Sequence, residues 1–259
     1  MGKRGINTAM DTLSELVSEM NRLIAAAHYH QIHLRAFGGL AIYEHSRNDP
    51  RLFHRDSPDV DFMVPKGEWR KLEAFFQQMG YSPHKQFNLL NGSQRQIYYD
   101  KVTGHRIDIV VGDFEMCHKL PLNGRLKMHP VTIPLAELFL SKAQIVRLNR
   151  KDAFDMISLL LNNDLGDEHD GKIGLDRIAR LCAHNWGLYK TTSINLKRVE
   201  DLLLAEDLGL SQAERELVLQ RIRKIESVLE SKPKSVTWKM RNVLGTRVRW
   251  YAEVEEVEQ

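Results

Sequence analysis

The sequence predicts an α+β fold in which a mixed sheet flanked by helices is followed by an all-helical C-terminal part. Segments that alternate like strands occur only before Pro134, whereas apolar residues after it recur with helical spacing. The change between the two patterns falls near residue 132. We therefore expect a first domain over residues 1–132 and a helical domain over residues 133–259.

The first elements are a helix and two strands. Apolar residues between positions 8 and 27 recur on one helical face and predict an amphipathic helix. Residues 31–37 alternate like a strand and run into Gly38 and Gly39, which we expect to form a tight turn before a short helix. Residues 59–64 lie between two prolines and have the length of a second strand.

The remaining elements follow from similar patterns. Residues 69–79 predict a helix that Gly80 ends. Asn91-Gly92 is typical of a hairpin turn, and strands are expected over 94–100 and 105–111. Ser211 and Glu214 have the spacing of a capping box, which starts a helix. Helical periodicity extends over residues 135–148, 153–161, 173–182, 194–204 and 217–229.

Composition excludes several classes of protein. The chain has 259 residues, and its 37 Lys and Arg nearly balance its 34 Asp and Glu, giving a net charge of +3. No run approaches the roughly 18 apolar residues of a membrane span, and the N-terminus lacks the apolar core of a secretory signal. We therefore expect a cytoplasmic protein without a membrane partner. Cys117 and Cys182 are too few for a disulfide framework.

Three aspartates carry the candidate chemistry. Asp59 and Asp61 are two residues apart in an expected strand, so their carboxylates share a face. Without a cation they would repel each other, and Mg²⁺ prefers such oxygen ligands. Asp108 alternates in the same way on another strand, where it would join the pair or form an ion pair with Arg106. A solvated acidic strand is the alternative interpretation.

Basic and glycine residues near these aspartates indicate a phosphate ligand. Gly38 and Gly39 would let the backbone approach a phosphate closely, although a glycine pair can also be a simple turn. Arg55 lies four residues before Asp59 and is placed to reach the same phosphates. Lys142 lies on the apolar face of its helix, where we expect its ammonium to meet a carboxylate or a bound phosphate.

Taken in order, these motifs resemble the polymerase-beta-like nucleotidyltransferase superfamily. The resemblance covers roughly residues 30–162 and rests on Gly38-Gly39, Arg55, residues 58–64, residues 107–109 and a helical segment over 134–155. The arginine before the aspartate pair is similar to aminoglycoside nucleotidyltransferases. The helical segment looks more like abortive-infection type nucleotidyltransferase toxins.

The resemblance implies a polymerase-beta-like palm, in which a nucleoside monophosphate moves from an NTP to an acceptor hydroxyl with release of pyrophosphate. It implies that the two glycines touch the triphosphate, and that Lys142 contacts the nucleotide. Asp152 would belong to the helical motif that closes the site. The implied ligands of Mg²⁺ or Mn²⁺ are Asp59, Asp61 and Asp108.

Several alternatives remain open at the level of sequence. The enzyme would be a toxin acting on tRNA or protein, with an antitoxin as partner, or a small-molecule enzyme of the aminoglycoside type. A non-catalytic nucleotide- or RNA-binding regulator and a metal-dependent phosphohydrolase are the rival classes. Residues 231–250 contain six basic residues, no acidic residue and two tryptophans, which would bind a polynucleotide or pack the last helix.

Overall fold

The computed structural model describes residues 8–53 and 59–253. These residues form two compact units, each assembled from more than one stretch of chain. The first unit contains residues 8–44, 59–114 and 121–134, and the second contains residues 45–53, 115–120 and 135–253. Within these described ranges, no helix combines the length and the hydrophobicity that a membrane span needs.

The first unit consists of one five-stranded sheet and four helices. A 3-10 turn over Trp69–Lys71 precedes the third helix. The elements in chain order are α1 (Thr8–Tyr29), β1 (Arg35–Phe37), α2 (Gly38–Glu44), β2 (Val60–Val64), α3 (Leu72–Gln78), β3 (Tyr81–Pro83), α4 (Lys85–Asn91), β4 (Arg95–Asp100) and β5 (Arg106–Val111).

The strand order in this sheet is β1-β2-β5-β4-β3. Strands β2 and β5 run parallel, while the other neighbours are antiparallel, so the expected mixed sheet is confirmed. The ring of Phe76 on α3 stacks on that of Tyr98 on β4, with 4.5 Å between their centroids. Helix α3 therefore covers the face of the sheet on which Tyr98 lies. Side chains alternate between the two faces along a strand, so the residues next to each α3-facing residue point to the opposite face.

Two sequence predictions in this unit are wrong. Asn91-Gly92 does not form a hairpin turn, because it ends helix α4 instead. His84 caps the N-terminus of α4 by accepting a hydrogen bond from the Phe87 N–H, and Gly92 N–H closes its last turn on the Asn88 carbonyl. The predicted strand over residues 31–37 is also shorter than expected, because only β1 pairs with β2.

The second unit is built mainly from helices. The capping box that starts one of them at Ser211 is confirmed, with both reciprocal hydrogen bonds to Glu214 present. The helices are α5 (Leu135–Ala143), α6 (Arg150–Asn162), α7 (Leu175–His184), α8 (Trp186–Ala205), α9 (Gln212–Ser231) and α10 (Val236–Leu244).

Short strands interrupt this helical part of the chain. Strands β6 (Phe114–Glu115) and β7 (Lys119–Leu120) precede α5. Strands β8 (Leu165–Gly166) and β9 (Ile173–Gly174) lie between α6 and α7 and pair in parallel. The expectation that residues after 132 are purely helical is therefore too simple. Two-residue strands carry no alternation that a sequence pattern would detect.

We expect the stability of the second unit to depend on pH through His118. Its side chain is buried, Nε2 lies 2.8 Å from Thr191 Oγ1, and burial lowers the pKa of the imidazole from 6.5 to about 4. The unfolded chain takes up this proton near pH 6.5, the folded protein only near pH 4. We therefore expect the free energy of unfolding to fall by about 3 kcal/mol across this window because of His118, with no contribution above it.

Urea unfolding at pH 7 and pH 4, compared between the wild-type protein and His118→Gln, measures this contribution. The loss on acidification is expected to be smaller in the variant, since glutamine does not titrate. His129 has a lowered pKa too, because of burial and the nearby charge of Arg35, but it contributes equally to both proteins. Equal losses in both proteins would contradict the assignment to His118.

Candidate active site

Asp61 and Asp108 lie side by side in the centre of the sheet. In the parallel pair of β2 and β5 they are direct register partners. Their strand neighbours Val60, Phe62 and Ile107 are buried, so both aspartates project from the face that α3 does not cover. The structure thus brings together two of the three aspartates singled out in the sequence.

Asp59 and Gly38 are two neighbours of Asp61, the first in sequence and the second in space. Asp59 is exposed and lies one residue before β2 begins. Gly38 follows Phe37, which is the register partner of Asp61 on β1. A Cβ atom placed on Gly38 would lie 2.3 Å from Asp61 Oδ2, and Gly38 has a φ of +67°. Both features require glycine at this position.

Gly39 and Arg55 are the other two phosphate-binding candidates of this region. Gly39 is buried within α2, which begins at Gly38 without an intervening turn. Arg55 lies outside the described residues. The role of both residues at a phosphate stays a prediction.

Two arginines hold the carboxylate of Asp108. Arg95 on β4 donates from Nε to Oδ1 at 2.7 Å and from Nη2 to Oδ2 at 2.5 Å. Arg106 donates from Nη2 to Oδ2 at 2.8 Å, which confirms the ion pair considered from sequence. The side chain of Asp108 is only 9% exposed, so this contact is well shielded from water. Charge-assisted, two-pronged contacts of this kind fix a carboxylate firmly.

The negative charge of Asp61 also interacts with Arg95. Its pKa is raised above the usual value, first by the hydrogen bond to Asp108 and further by the negative charges of Asp108 and Asp61. Sequence reasoning missed Arg95, because it lies 13 residues before Asp108. The only signal was its place at the start of a strand expected to pair with that of Asp108.

The donor set partly fits a hard divalent cation. Asp59 and Asp61 supply the oxygen ligands that Mg²⁺ prefers, and this ion commonly uses one or two carboxylates together with water and substrate phosphates. Among the residues that the structure describes, no three His, Cys, Asp or Glu side chains converge on a metal position. Asp108 is engaged by guanidinium groups instead. The metal-binding roles of Asp59, Asp61 and Asp108 therefore stay predictions.

Lys142 and Asp152, both singled out in the sequence, form an ion-pair cluster in the second unit. Lys142 Nζ lies 2.7 Å from Asp152 Oδ1 and 2.9 Å from Asp155 Oδ2. The three side chains are 12%, 11% and 5% exposed. Asn149 caps α6 by accepting the Asp152 N–H, and the contacts to Lys142 show that both carboxylates lie on the side that faces α5. The ammonium of Lys142 thus meets carboxylates, as one of the two sequence alternatives expected.

Removing the ammonium is expected to destabilise this cluster. In Lys142→Met, two nearly buried carboxylates one helical turn apart lose their shared cation. We expect the free energy of unfolding to fall by about 2 kcal/mol. Urea unfolding at pH 7 measures the change. Lys151→Met is the matched control, because Lys151 lies on α6 but is exposed. Equal stability of the two variants would show that the cluster contributes nothing.

The basic and aromatic C-terminal segment is largely engaged in packing. The ring centroids of Trp238 and of Tyr189 on α8 are 5.2 Å apart, and Trp250 donates from Nε1 to Thr191 Oγ1 at 3.0 Å. Cations of the chain already lie over Trp238 in this segment, over Tyr251 just after it and over two rings of α8 beside it, which reduces the faces left for a stacked base. The pairs are Lys234 with Tyr189 and Trp238, Arg241 with Trp186, and Arg249 with Tyr251.

Comparisons with known proteins show a loose structural likeness and no sequence match. No family model and no curated protein matches the chain. The chain is similar to the antibiotic-resistance factor ANT(2'')-Ia, with 14% identity, coverage of 84% of this chain and 96% of that chain, and a TM-score of 0.34. It is also similar to an antigenic nucleotidyltransferase-like protein from Paracoccidioides brasiliensis, with 16% identity, coverage of 86% and 96%, and a TM-score of 0.38. Such low TM-scores assign no reaction, so any assignment depends on the chain's own side chains.

Proposed function

We propose that this protein is a metal-dependent nucleotidyltransferase, which transfers a nucleoside monophosphate from an NTP to an acceptor hydroxyl. The observation that carries the proposal is the pairing of Asp61 with Asp108 on parallel strands, together with the approach of Gly38 to the Asp61 carboxylate. The exposed Asp59, two residues before Asp61, adds a second ligand for the same ion.

The two carboxylates Asp59 and Asp61 are the residues that would hold the ion. When bound, Mg²⁺ or Mn²⁺ neutralises phosphate oxygens and makes the attacking hydroxyl more acidic. This role is supported by the position of Asp61 in β2, a strand inside the sheet, with buried neighbours on both sides along the strand. A rigid strand holds a ligand more precisely than a loop does.

We assign Asp108 the role of proton acceptor. The acceptor oxygen forms a bond to the α-phosphorus while the bond from this phosphorus to the bridging oxygen breaks, and pyrophosphate leaves. The hydroxyl proton passes to a carboxylate oxygen of Asp108. Oδ1 accepts a single hydrogen bond, from Arg95 Nε, and so has a second lone pair that can take up this proton while Arg95 holds the carboxylate in place.

Arg95 is therefore expected to influence turnover more than substrate affinity. In Arg95→Gln, Asp108 keeps the contact to Arg106 but loses its two-pronged partner, so its carboxylate is less well oriented. We expect kcat to fall about tenfold with little change in the KM for NTP. Arg70→Gln is the control, because Arg70 lies over the Trp69 ring on the 3-10 turn. Equal kcat values for the two variants would contradict an orienting role for Arg95.

The remaining sequence candidates are included in the proposal as nucleotide contacts. Lys142 is held by Asp152 and Asp155, so a phosphate would have to share its ammonium with these carboxylates. If Lys142 contacts the nucleotide, Lys142→Met raises the KM for NTP. Lys151→Met, the control, leaves this KM unchanged.

The decisive experiment follows a label from the NTP. The protein is incubated with each α-labelled NTP, Mg²⁺ and, separately, total RNA, total protein or an aminoglycoside. Transfer of the label together with release of pyrophosphate is the expected result. Label in tRNA or in a protein would favour a toxin-type enzyme, and label on the antibiotic a small-molecule enzyme. Release of inorganic phosphate without a labelled acceptor would indicate a phosphohydrolase and contradict the proposal.

One observation favours a second candidate function. Both carboxylate oxygens of Asp108 accept hydrogen bonds from arginines, an arrangement that lowers its basicity and suits a nucleotide-binding regulator without turnover. Calorimetry with each NTP, with and without Mg²⁺, separates the two functions when it is combined with the labelling assay. Tight binding without release of pyrophosphate across all acceptors would establish the regulator and exclude the transferase.

A further inference from the structure

An exposed aromatic side chain lies on the same face of the sheet as the candidate active site. Tyr99 on β4 is the register partner of Arg106 on β5, and Arg106 lies two residues before Asp108 on that strand. Because register partners and alternate residues of a strand point to the same side, the three side chains share a face. Tyr99 is 37% exposed, so its ring is open to a ligand on this face.

A second ring extends this surface toward the edge of the sheet. His84 directly follows β3 and is exposed. Its ring centroid lies 6.1 Å from that of Tyr99, with 40° between the ring planes. His84 Nδ1 accepts the Phe87 N–H, which holds the imidazole in place. We call His84, Tyr99 and Arg106 the Tyr99 surface, which combines two neighbouring rings with a guanidinium group.

The charges beside the two rings favour an anionic ligand. Among the described strand residues of β3, β4 and β5 on this face, Asp108 is the one acidic residue, and Arg95 and Arg106 both donate to it. Arg106 uses one of its five N–H donors for this contact, and its Nε has no partner among the described residues. Such a surface attracts a phosphate and repels a polycation such as an aminoglycoside.

We propose that the Tyr99 surface binds the acceptor of the transfer reaction, and that this acceptor is a nucleotide with a free hydroxyl. The proposal rests on the nucleotidyl transfer proposed above. The base would stack on Tyr99, and oxygens of its phosphate would accept hydrogen bonds from Arg106. Aromatic rings and guanidinium groups are common protein partners of these two parts of a nucleotide. A free nucleotide and the last nucleotide of a polynucleotide share this chemistry.

The strand order separates this acceptor surface from the side of the sheet proposed for the NTP. Gly38 follows β1 and Asp61 lies on β2, whereas Tyr99 lies on β4, and Asp108 on β5 is between them. Tyr99 and Asp108 are on adjacent strands, two residues apart in register, which corresponds to about 8 Å between their Cα atoms. This is the length scale of one nucleoside. A base stacked on Tyr99 would therefore place its ribose hydroxyl near the carboxylate proposed to take the proton.

Equilibrium binding tests the surface without depending on turnover. The probes are a short single-stranded RNA and a nucleoside monophosphate, each with a fluorescent label and a free 3′ hydroxyl, and fluorescence anisotropy gives their Kd. In Tyr99→Leu we expect about tenfold weaker binding, equivalent to about 1.4 kcal/mol, because the base loses its stacking partner. Tyr99→Phe keeps the ring and should bind like the wild type. Tyr29→Leu is the matched control, since Tyr29 is 86% exposed at the end of α1.

The probe whose binding depends on Tyr99 identifies the source of the nucleotide. If neither probe binds the wild type, or if Tyr99→Leu binds both equally well, the proposal is overturned.

The labelling assay separates this proposal from the proposed function. With α-labelled NTP and the bound nucleotide as acceptor, Tyr99→Leu should raise the KM for the acceptor about tenfold and leave the KM for NTP unchanged. Tyr99-dependent binding without transfer of label would contradict the proposed function, while nucleotide binding at the surface would stand. Label on an aminoglycoside or a protein, with the same acceptor KM in Tyr99→Leu and the wild type, would support the transferase and reject the nucleotide as acceptor.

Discussion

Asp61→Asn is expected to lower the rate of nucleotidyl transfer at least about a thousandfold, equivalent to about 4 kcal/mol of activation free energy. Asparagine keeps the shape of the side chain but removes the charge that would hold the divalent cation. The half-buried carboxylate of Asp61 lies against Gly38 and close enough to Arg95 for their charges to interact. A water molecule is therefore a poor substitute for this carboxylate as a ligand of the cation. Transfer of the label from α-labelled NTP to the acceptor measures the loss.

A matched control separates this effect from a general loss of charge. Glu73→Gln removes a carboxylate from α3, on the side of the sheet that Asp61 does not face, and should leave the rate unchanged. Asp59→Asn should abolish turnover as well, since Asp59 is the second proposed ligand. Binding of Mn²⁺, followed by its electron paramagnetic resonance signal, should weaken in both aspartate variants. A variant of Asp61 with near wild-type turnover would exclude the metal mechanism.

Local patterns predicted the elements that local interactions create. The capping box at Ser211 and Glu214 needs only four residues, and the helical spacing of apolar residues that predicted α1 is visible in the sequence of that segment alone. The alternation in β2 and β5 correctly placed Asp61 and Asp108 on one face, because the period of a strand is independent of its neighbours.

Features that depend on contacts between distant residues could not be predicted in this way. The salt bridges of Arg95 to Asp108 require the register between β4 and β5, which no single segment specifies. Asn91-Gly92 is compatible with a hairpin turn and with a helix end. The cap by His84 at the other end of α4 favours the helix. Lys142 needed a counter-charge, yet only the packing of α5 on α6 selected Asp152 and Asp155.

Gly38→Ala tests whether the backbone at the end of β1 positions Asp61. The new methyl group would lie 2.3 Å from Asp61 Oδ2, well inside van der Waals contact, at a φ of +67° that alanine rarely adopts. The carboxylate must therefore move, or the turn must change. We expect at least a hundredfold loss of nucleotidyl transfer, and a loss of about 2 kcal/mol in the free energy of unfolding.

Gly104→Ala separates these two causes. Gly104 has a φ of +75°, close to that of Gly38, but a Cβ atom there would meet nothing within 4 Å. This control therefore carries the backbone strain, about 1 kcal/mol, without the clash. Its turnover should equal that of the wild-type protein, and the difference in stability between the two variants measures the clash with Asp61. If Gly38→Ala matched Gly104→Ala in both stability and turnover, Asp61 would not depend on Gly38, and the close contact between them would have no part in the reaction.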